Sequence, residues 1–257
     1  MNILLSGICG FMGREVVKLC QSNYRGARLT MGVDPYGSDE VFRSFDEITS
    51  TDDVDCIIDF SHHTATPALL DFAKAHTLPL VLCTTGHTEE EKELIIEAAK
   101  KIPLFYSGNM SLGIALLVEL AKTTAAAFPE AEIEIIEKHH DRKVDAPSGT
   151  ALMLAEAIRE VRPEAYANCG RSGQGKRTLE EIGIHSIRMG NIVGEHEVII
   201  GTPSQTITLK HEAHNRALFA EGAIAAAEYL VNQPAGMYDM KSMLSGERVT
   251  DAVVTAE

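Results

Sequence analysis

From Asn2 to Tyr106 the chain alternates short apolar runs with helix-length segments, and this alternation limits the possible folds more than any other feature. Asn2–Ser6, Leu29–Val33, Cys56–Phe60, Leu80–Cys83 and Ile102–Tyr106 read as strands. The stretches through Val16 and Cys20, Pro67–His76 and Glu89–Lys100 carry helical spacing. Strand and helix taking turns at this spacing imply a parallel sheet, because parallel neighbours need a long crossover, usually a helix, between them. The expected class is therefore α/β, with helices on both faces of a parallel sheet. In such sheets ligands bind beyond the carboxyl ends of the strands.

The first of those strand ends carries Gly7, Gly10 and Gly13 in G-x-x-G-x-x-G spacing, followed at once by a helix. Glycines there permit a tight turn and let the backbone approach a pyrophosphate at the helix N-terminus. Asp34 closes the second strand about 20 residues beyond the last glycine, where a carboxylate can accept hydrogen bonds from ribose hydroxyls. The reading is a Rossmann-type dinucleotide-binding sheet. Pro35 follows Asp34, so no neighbouring arginine can meet a 2′-phosphate. NADH is expected to be preferred, with NADPH possible if Arg14 or Arg43 approaches. Three further strand-end loops, Ser61–Thr64, Cys83–Gly86 and Ser107–Ser111, are rich in small hydroxyl residues and glycine, as contact with a nicotinamide ribose requires. The His62-His63 pair has no carboxylate or thiol at ligand spacing, and no metal site is expected.

Beyond a helix over Leu112–Ala127 the pattern changes. Glu132–Lys138 alternates charged and apolar residues, and Ile182–Met189, His196–Ile200 and Thr206–His211 read as more strands, largely without intervening helices. This predicts a second, α+β domain built on an open mixed sheet. The helix over Phe219–Val231 is expected to return to the first domain, giving 1–110 plus 217–257 and, between them, 111–216. The segment Asn168–Arg177 is glycine-rich and basic and reads as a mobile loop, either a solvated linker or a lid.

The segment from Glu137 to Ala151 concentrates chemistry. His139, His140, Arg142 and Lys143 stand just ahead of Pro147-Ser148-Gly149-Thr150, with Ser148 as the N-cap of a helix. The first amides of that helix and its dipole suit an anion, and imidazole and ammonium groups beside it can move protons. A small carboxylated substrate fits. The formal net charge of −14 argues against nucleic-acid or membrane-surface partners, and makes such a site depend on local cations, Lys138, Arg142 and Lys143 among them. Five scattered cysteines without a C-x-x-C pair, no signal-peptide pattern and no long apolar run suggest a cytoplasmic protein with no membrane span.

These residues carry a resemblance. E-x-H-H-x-x-K-x-D-A-P-S-G-T-A over Glu137–Ala151, with Asp59-Phe60-Ser61, Thr84-Thr85-Gly86, Gly108-Asn109, Gly194-Glu195-His196 and Phe219-Ala220, resembles the 4-hydroxy-tetrahydrodipicolinate reductase (dihydrodipicolinate reductase) family. The resemblance implies a homotetrameric cytoplasmic enzyme of lysine and diaminopimelate biosynthesis. It would reduce a cyclic dicarboxylate with NAD(P)H, its second domain serving substrate binding and oligomerisation. By analogy His139 is the proton donor/acceptor and Lys143 a proton donor, and which of them delivers the proton stays open. His140, Ser148, Gly149 and Thr150 would bind substrate. Cofactor contacts would come from Gly7, Ile8, Cys9, Gly10, Phe11 and Met12, from Asp34, from Cys83, Thr84 and Thr85, and from Ser107, Gly108, Asn109 and Met110. Phe11 and Pro35 stand where the family often carries arginine, Cys83 where it has glycine, and Met110 where it has phenylalanine. Two other readings remain: another Rossmann dehydrogenase acting on an amino or keto acid, and an NADH-binding protein without catalysis.

Overall fold

The computed structural model describes residues 1–38 and 40–246. In chain order the elements are β1 (Asn2–Ser6), α1 (Phe11–Gln21), β2 (Arg28–Val33), β3 (Cys56–Asp59), α2 (Thr66–His76), β4 (Leu80–Leu82), α3 (Glu89–Ala99), β5 (Pro103–Tyr106), α4 (Leu112–Ala127) and β6 (Glu132–His139). They continue with α5 (Gly149–Val161), β7 (Tyr166–Cys169), β8 (Glu181–Arg188), β9 (Gly194–Thr202), β10 (Gln205–Ala213), α6 (Ala217–Leu230), β11 (Gly236–Tyr238) and α7 (Met240–Ser245). The chain forms two compact units, one from residues up to Leu112 and from Ala217 onward, the other Gly113–Arg216.

In the first unit six strands pair in the order β11-β5-β4-β3-β1-β2, every pairing parallel. Strands β3 and β4 are buried on both faces, as an all-parallel sheet covered by helices demands. Leu4, Ile57, Leu80 and Leu104 pack against Leu69, Leu70, Ala73 and Ile95 of α2 and α3. Local chemistry sets the helix starts. Thr88 and Glu91 form a reciprocal capping box at α3, and Glu89, Glu90 and Glu91 face the positive end of its dipole. Gly10 precedes α1 and, as glycine, supplies no side-chain cap to its first turn.

The second unit is a mixed sheet, ordered β10-β9-β6-β8-β7. Strand β6 runs parallel to β8 and antiparallel to β9. Ile133 and Ile135, with Ile182, Ile184, Val198 and Ile200, meet Ile114, Leu117 and Ala121 of α4 and Leu154 and Ile158 of α5.

Only the start of the segment expected to be a loop differs from that reading: Asn168 and Cys169 belong to β7, whereas residues 170–177 are a loop whose two arginines make ion pairs. Arg171 Nε donates to Glu181 Oε1 at 2.8 Å, and Arg177 Nη1 to Glu134 Oε1 at 2.6 Å. Carboxylates on β6 and β8 capture guanidinium groups that the sequence alone leaves solvated.

Candidate active site

In a strand, alternate residues share a face, so the core of the second unit decides where β6 points its polar end. Ile133 and Ile135 are buried, which puts Glu137 and His139 on the same face. Neighbouring strands repeat this change of character in register. Ile135 sits opposite Val198 and Ile184, whereas Glu137 sits opposite His196 and Ser186, and His139 opposite Arg188. Strand β10 adds His211 opposite His196. One end of the core face is therefore polar across four strands.

Glu137 is fully buried and is the hub of this end. Arg188 forks onto both of its oxygens at 2.7 Å. His139 Nδ1 lies 2.6 Å from Oε2, and the Ser148 amide donates to Oε1 at 3.1 Å. Burial works against the charge, but the Arg188, Ser186 and His139 contacts and the Ser148 amide overcome it and hold the carboxyl pKa at about 2. His139 is itself pushed down, mainly by burial, with Lys143 and Arg188 adding to the effect and Glu137 opposing it. His196 meets His139 edge to face at 5.1 Å, and its Nε2 lies 3.1 Å from Ser148 Oγ. Burial and the nearby His139 lower its pKa to about 4.

The sequence-predicted substrate residues gather here. Ser148 caps α5, its Oγ accepting from the Ala151 amide at 3.3 Å, and also faces His196. Gly149 is exposed, with open space where a Cβ would stand, so the helix start is accessible to an anion. Thr150 is half-buried in the same turn. Lys143 Nζ lies 2.9 Å from Asp145 Oδ1. Among the described residues the buried nitrogens His140 Nδ1, His196 Nδ1, His211 Nδ1 and Arg188 Nε have no hydrogen-bond partner, which a polar ligand or water would correct. Lys138 is not brought together with these groups. It points to the opposite face and pairs with Glu195 at 2.9 Å, because it is one residue out of phase with His139. Arg142 pairs with Asp141 on the surface.

In the first unit the glycine loop fits a dinucleotide. Gly7 has φ +78°, and a Cβ there would stand 2.4 Å from Phe60 O; a Cβ on Gly13 would stand 2.2 Å from Gly7 O. The loop is thus pressed against the end of β3, with Ile8, Cys9 and Met12 half-buried and Gly10 and Phe11 exposed. Asp34 is buried at the end of β2, with Oδ2 accepting from the Cys9 amide and Oδ1 from the Tyr36 amide, each at 3.0 Å. A cavity of about 670 Å³ opens beside it, lined by Gly7, Val33, Pro35, Arg43, Ser44 and Ser61 among others.

Thr84 turns its hydroxyl inward to Asp59 Oδ2 at 2.5 Å, and Ser61 donates to Oδ1 at 2.6 Å. Buried Asp59 thereby fixes two strand-end loops. Cys83 and Met110 are also buried, whereas Thr85 and Gly108 are exposed. Ser107 Oγ donates to Asn109 O at 3.1 Å, and Asn109 Oδ1 accepts from the Ser111 amide at 3.0 Å. Among the described residues no cluster of three or more His, Cys, Asp or Glu could hold a metal ion, and no helix is long and apolar enough to cross a membrane.

Two family models match, "Dihydrodipicolinate reductase, N-terminus" over residues 1–110 and "Dihydrodipicolinate reductase, C-terminus" over residues 113–244. The chain belongs to the dihydrodipicolinate reductase family. Within this family, the 4-hydroxy-tetrahydrodipicolinate reductase of Clostridium novyi (strain NT) is 42% identical over 250 residues, covering 96% of this chain and 99% of the relative. That of Clostridium tetani (strain Massachusetts / E88) is 43% identical, covering 95% and 97%. A dipicolinate-bound dihydrodipicolinate reductase from Paenisporosarcina sp. TG-14 superposes with a TM-score of 0.79 at 27% identity, covering 95% of this chain and 99% of that one. A myo-inositol dehydrogenase from Corynebacterium glutamicum ATCC 13032, at 16% identity and a TM-score of 0.56, shares the fold alone. The coenzyme of this family is a pyridine nucleotide.

Sequence reasoning gave no role to Arg188, Glu137, His196 or Asp59. For Glu137 a signal existed, since it lies two residues from His139 on an alternating strand. Arg188 is 51 positions from Glu137, and only the β6–β8 register brings the two together.

Proposed function

We propose that this protein reduces (2S,4S)-4-hydroxy-2,3,4,5-tetrahydrodipicolinate to 2,3,4,5-tetrahydrodipicolinate, with loss of water, in lysine and diaminopimelate biosynthesis. The observation that carries this reading is the His139–Glu137–Arg188 assembly, built on the buried Glu137, beside the exposed Gly149 at the start of α5, on a chain of this family. The dipicolinate named with the Paenisporosarcina structure is a planar dicarboxylate and supports a dicarboxylate substrate.

The first unit serves dinucleotide binding, and the second serves substrate binding and oligomerisation. The Gly149 and Thr150 amides and His140 hold one carboxylate at the positive end of α5. Lys143 adds a cation, and His139 or Lys143 supplies the proton that the reduced ring takes up. When bound, a reduced nicotinamide supplies the hydride. Gly7–Met12 admit its pyrophosphate to the start of α1, Asp34 receives ribose hydroxyls, and the 83–85 and 107–110 loops contact it, Thr84 through its backbone.

NADH is the preferred form, because buried Asp34 repels a 2′-phosphate. Arg43 on the cavity wall leaves NADPH usable. The five free cysteines agree with a reducing cytoplasm. A homotetramer is the proposed assembly, to be measured by light scattering.

The test is a coupled assay, with pyruvate and aspartate semialdehyde fed through the preceding synthase. Oxidation of NADH and NADPH is followed separately. Synthase-dependent oxidation is expected, faster with NADH. No oxidation with either coenzyme rejects the reading.

A further inference from the structure

We propose that Glu137 is a positioning residue: it dictates which nitrogen of His139 exchanges protons, and the same carboxylate anchors the Ser148 turn. The proposal rests on the reading of His139 as a proton-exchanging group.

The argument starts from valence. An ionised carboxylate only accepts hydrogen bonds, so the nitrogen 2.6 Å from Glu137 Oε2 must carry a hydrogen. Neutral His139 is then the Nδ1–H tautomer, and every proton it gains or gives passes through Nε2. The bidentate Arg188 fork, together with the Ser186, His139 and Ser148 contacts, keeps a fully buried carboxylate ionised and unable to rotate away.

The two oxygens divide their remaining work. Oε2 takes His139, and Oε1 takes the Ser148 amide. Arg188 Nη2 also donates to Asp145 O at 2.6 Å, which holds the loop leading into that turn. One carboxylate therefore sets the imidazole and the helix start against each other within the second unit. The strand pattern makes this arrangement obligatory, since Glu137 and His139 share a face whenever Ile133 and Ile135 are buried.

The charged and titratable groups facing His139 are Glu137 on its own strand, Arg188 on β8, His196 on β9 and Lys143 in the loop after β6. Glu137 favours the imidazolium; Arg188 and Lys143 disfavour it. Removing Glu137 and removing Arg188 should thus move His139 in opposite directions, which a merely structural role would not produce.

The test uses full-length protein, free of substrate, labelled with nitrogen-15 at histidine. In the wild type, His139 is expected as the Nδ1–H tautomer, with Nε2 as the titrating nitrogen. Glu137→Gln should move its titration to lower pH and admit the other tautomer, whereas Arg188→Met should move it to higher pH. In the coupled assay Glu137→Gln should cut kcat/KM on the order of 100-fold, its alkaline limb following the new titration. An Nε2–H tautomer in the wild type overturns the proposal, and that measurement needs no variant to fold. So does a titration that moves the same way in both variants, or in neither. If the titrations move as expected while turnover is untouched, Glu137 still governs His139, and it is the role of His139 as a proton source that fails.

Discussion

His196 makes the second unit sensitive to acid, and the size of the effect follows from its burial. The ring is 4% exposed, and its pKa falls from 6.5 to about 4, chiefly through burial and next through His139. Above the unfolded value both states hold a neutral ring, and the stability linked to it is fully present. As pH falls below that value the unfolded chain takes up a proton that the folded chain refuses, and stability declines by up to about 1.4 kcal/mol per pH unit. The decline ends near the folded value, so the total is about 3 kcal/mol over the window from 6.5 to about 4. His139, His87 and His211 are lowered too, and burial is again the main cause. They steepen the same limb, so the informative quantity is a difference. His196→Gln keeps a partner for Ser148 Oγ and removes the titration. Urea denaturation of wild type and variant, followed by circular dichroism from about pH 7 to about pH 4, should give curves that converge as pH falls. The wild type should lose about 3 kcal/mol more than the variant across that range. Parallel curves, or a variant that loses more than the wild type, would refute the reasoning.

Lys143→Ala should lower turnover about 100-fold through lost acid and electrostatic contributions, with NADH affinity by fluorescence titration unchanged. Retained turnover would remove Lys143 from the reaction. Asp34→Ala should weaken NADH about tenfold, as expected when a charged hydrogen-bond acceptor is lost, and weaken NADPH less. The reverse order would discard the role given to that carboxylate. Gly13→Ala places a Cβ 2.2 Å from Gly7 O, closer than any real contact, so the loop must shift. Coenzyme-dependent turnover should fall on the order of 100-fold, while far-ultraviolet circular dichroism stays native. Unchanged coenzyme affinity would mean that the loop does not hold the pyrophosphate.

The parallel sheet of the first unit was legible because its signals are local: apolar runs, glycine spacing and caps all act within a few residues. What escaped notice is short or depends on distant partners. Strand β11 has three residues and exists because Met237 pairs beside Leu104 of β5, more than a hundred positions away. Strand β7 is largely exposed and carries no core periodicity. Helix α7 has six residues, and its start is marked by Asp239 and Ser242, a capping box without an apolar run to draw the eye. The histidine signature was plain, yet its electrostatic partners were not. Nothing in a list of residues distinguishes Lys138, paired with Glu195 on the far face, from Lys143 until the strand has a phase.

That phase is where fold and chemistry meet. A slip of one residue in β6 would exchange its two faces, exposing Ile133 and Ile135 and burying Glu134, Ile136 and Lys138. The net loss of one buried isoleucine costs roughly 1.5–3 kcal/mol, and burying Glu134 and Lys138 in place of apolar side chains adds to it, so the register is decided largely away from the polar end of the strand. Once it is set, Glu137 and His139 have no alternative direction, and β8 and β9 bring Ser186, Arg188 and His196 to meet them. The apolar half of the sheet thus orients the polar half. A buried carboxylate can sit there because the guanidinium opposite arrives through the same register. It follows that core substitutions such as Ile135→Ala should loosen His139 as well as the sheet, since the same strand carries both.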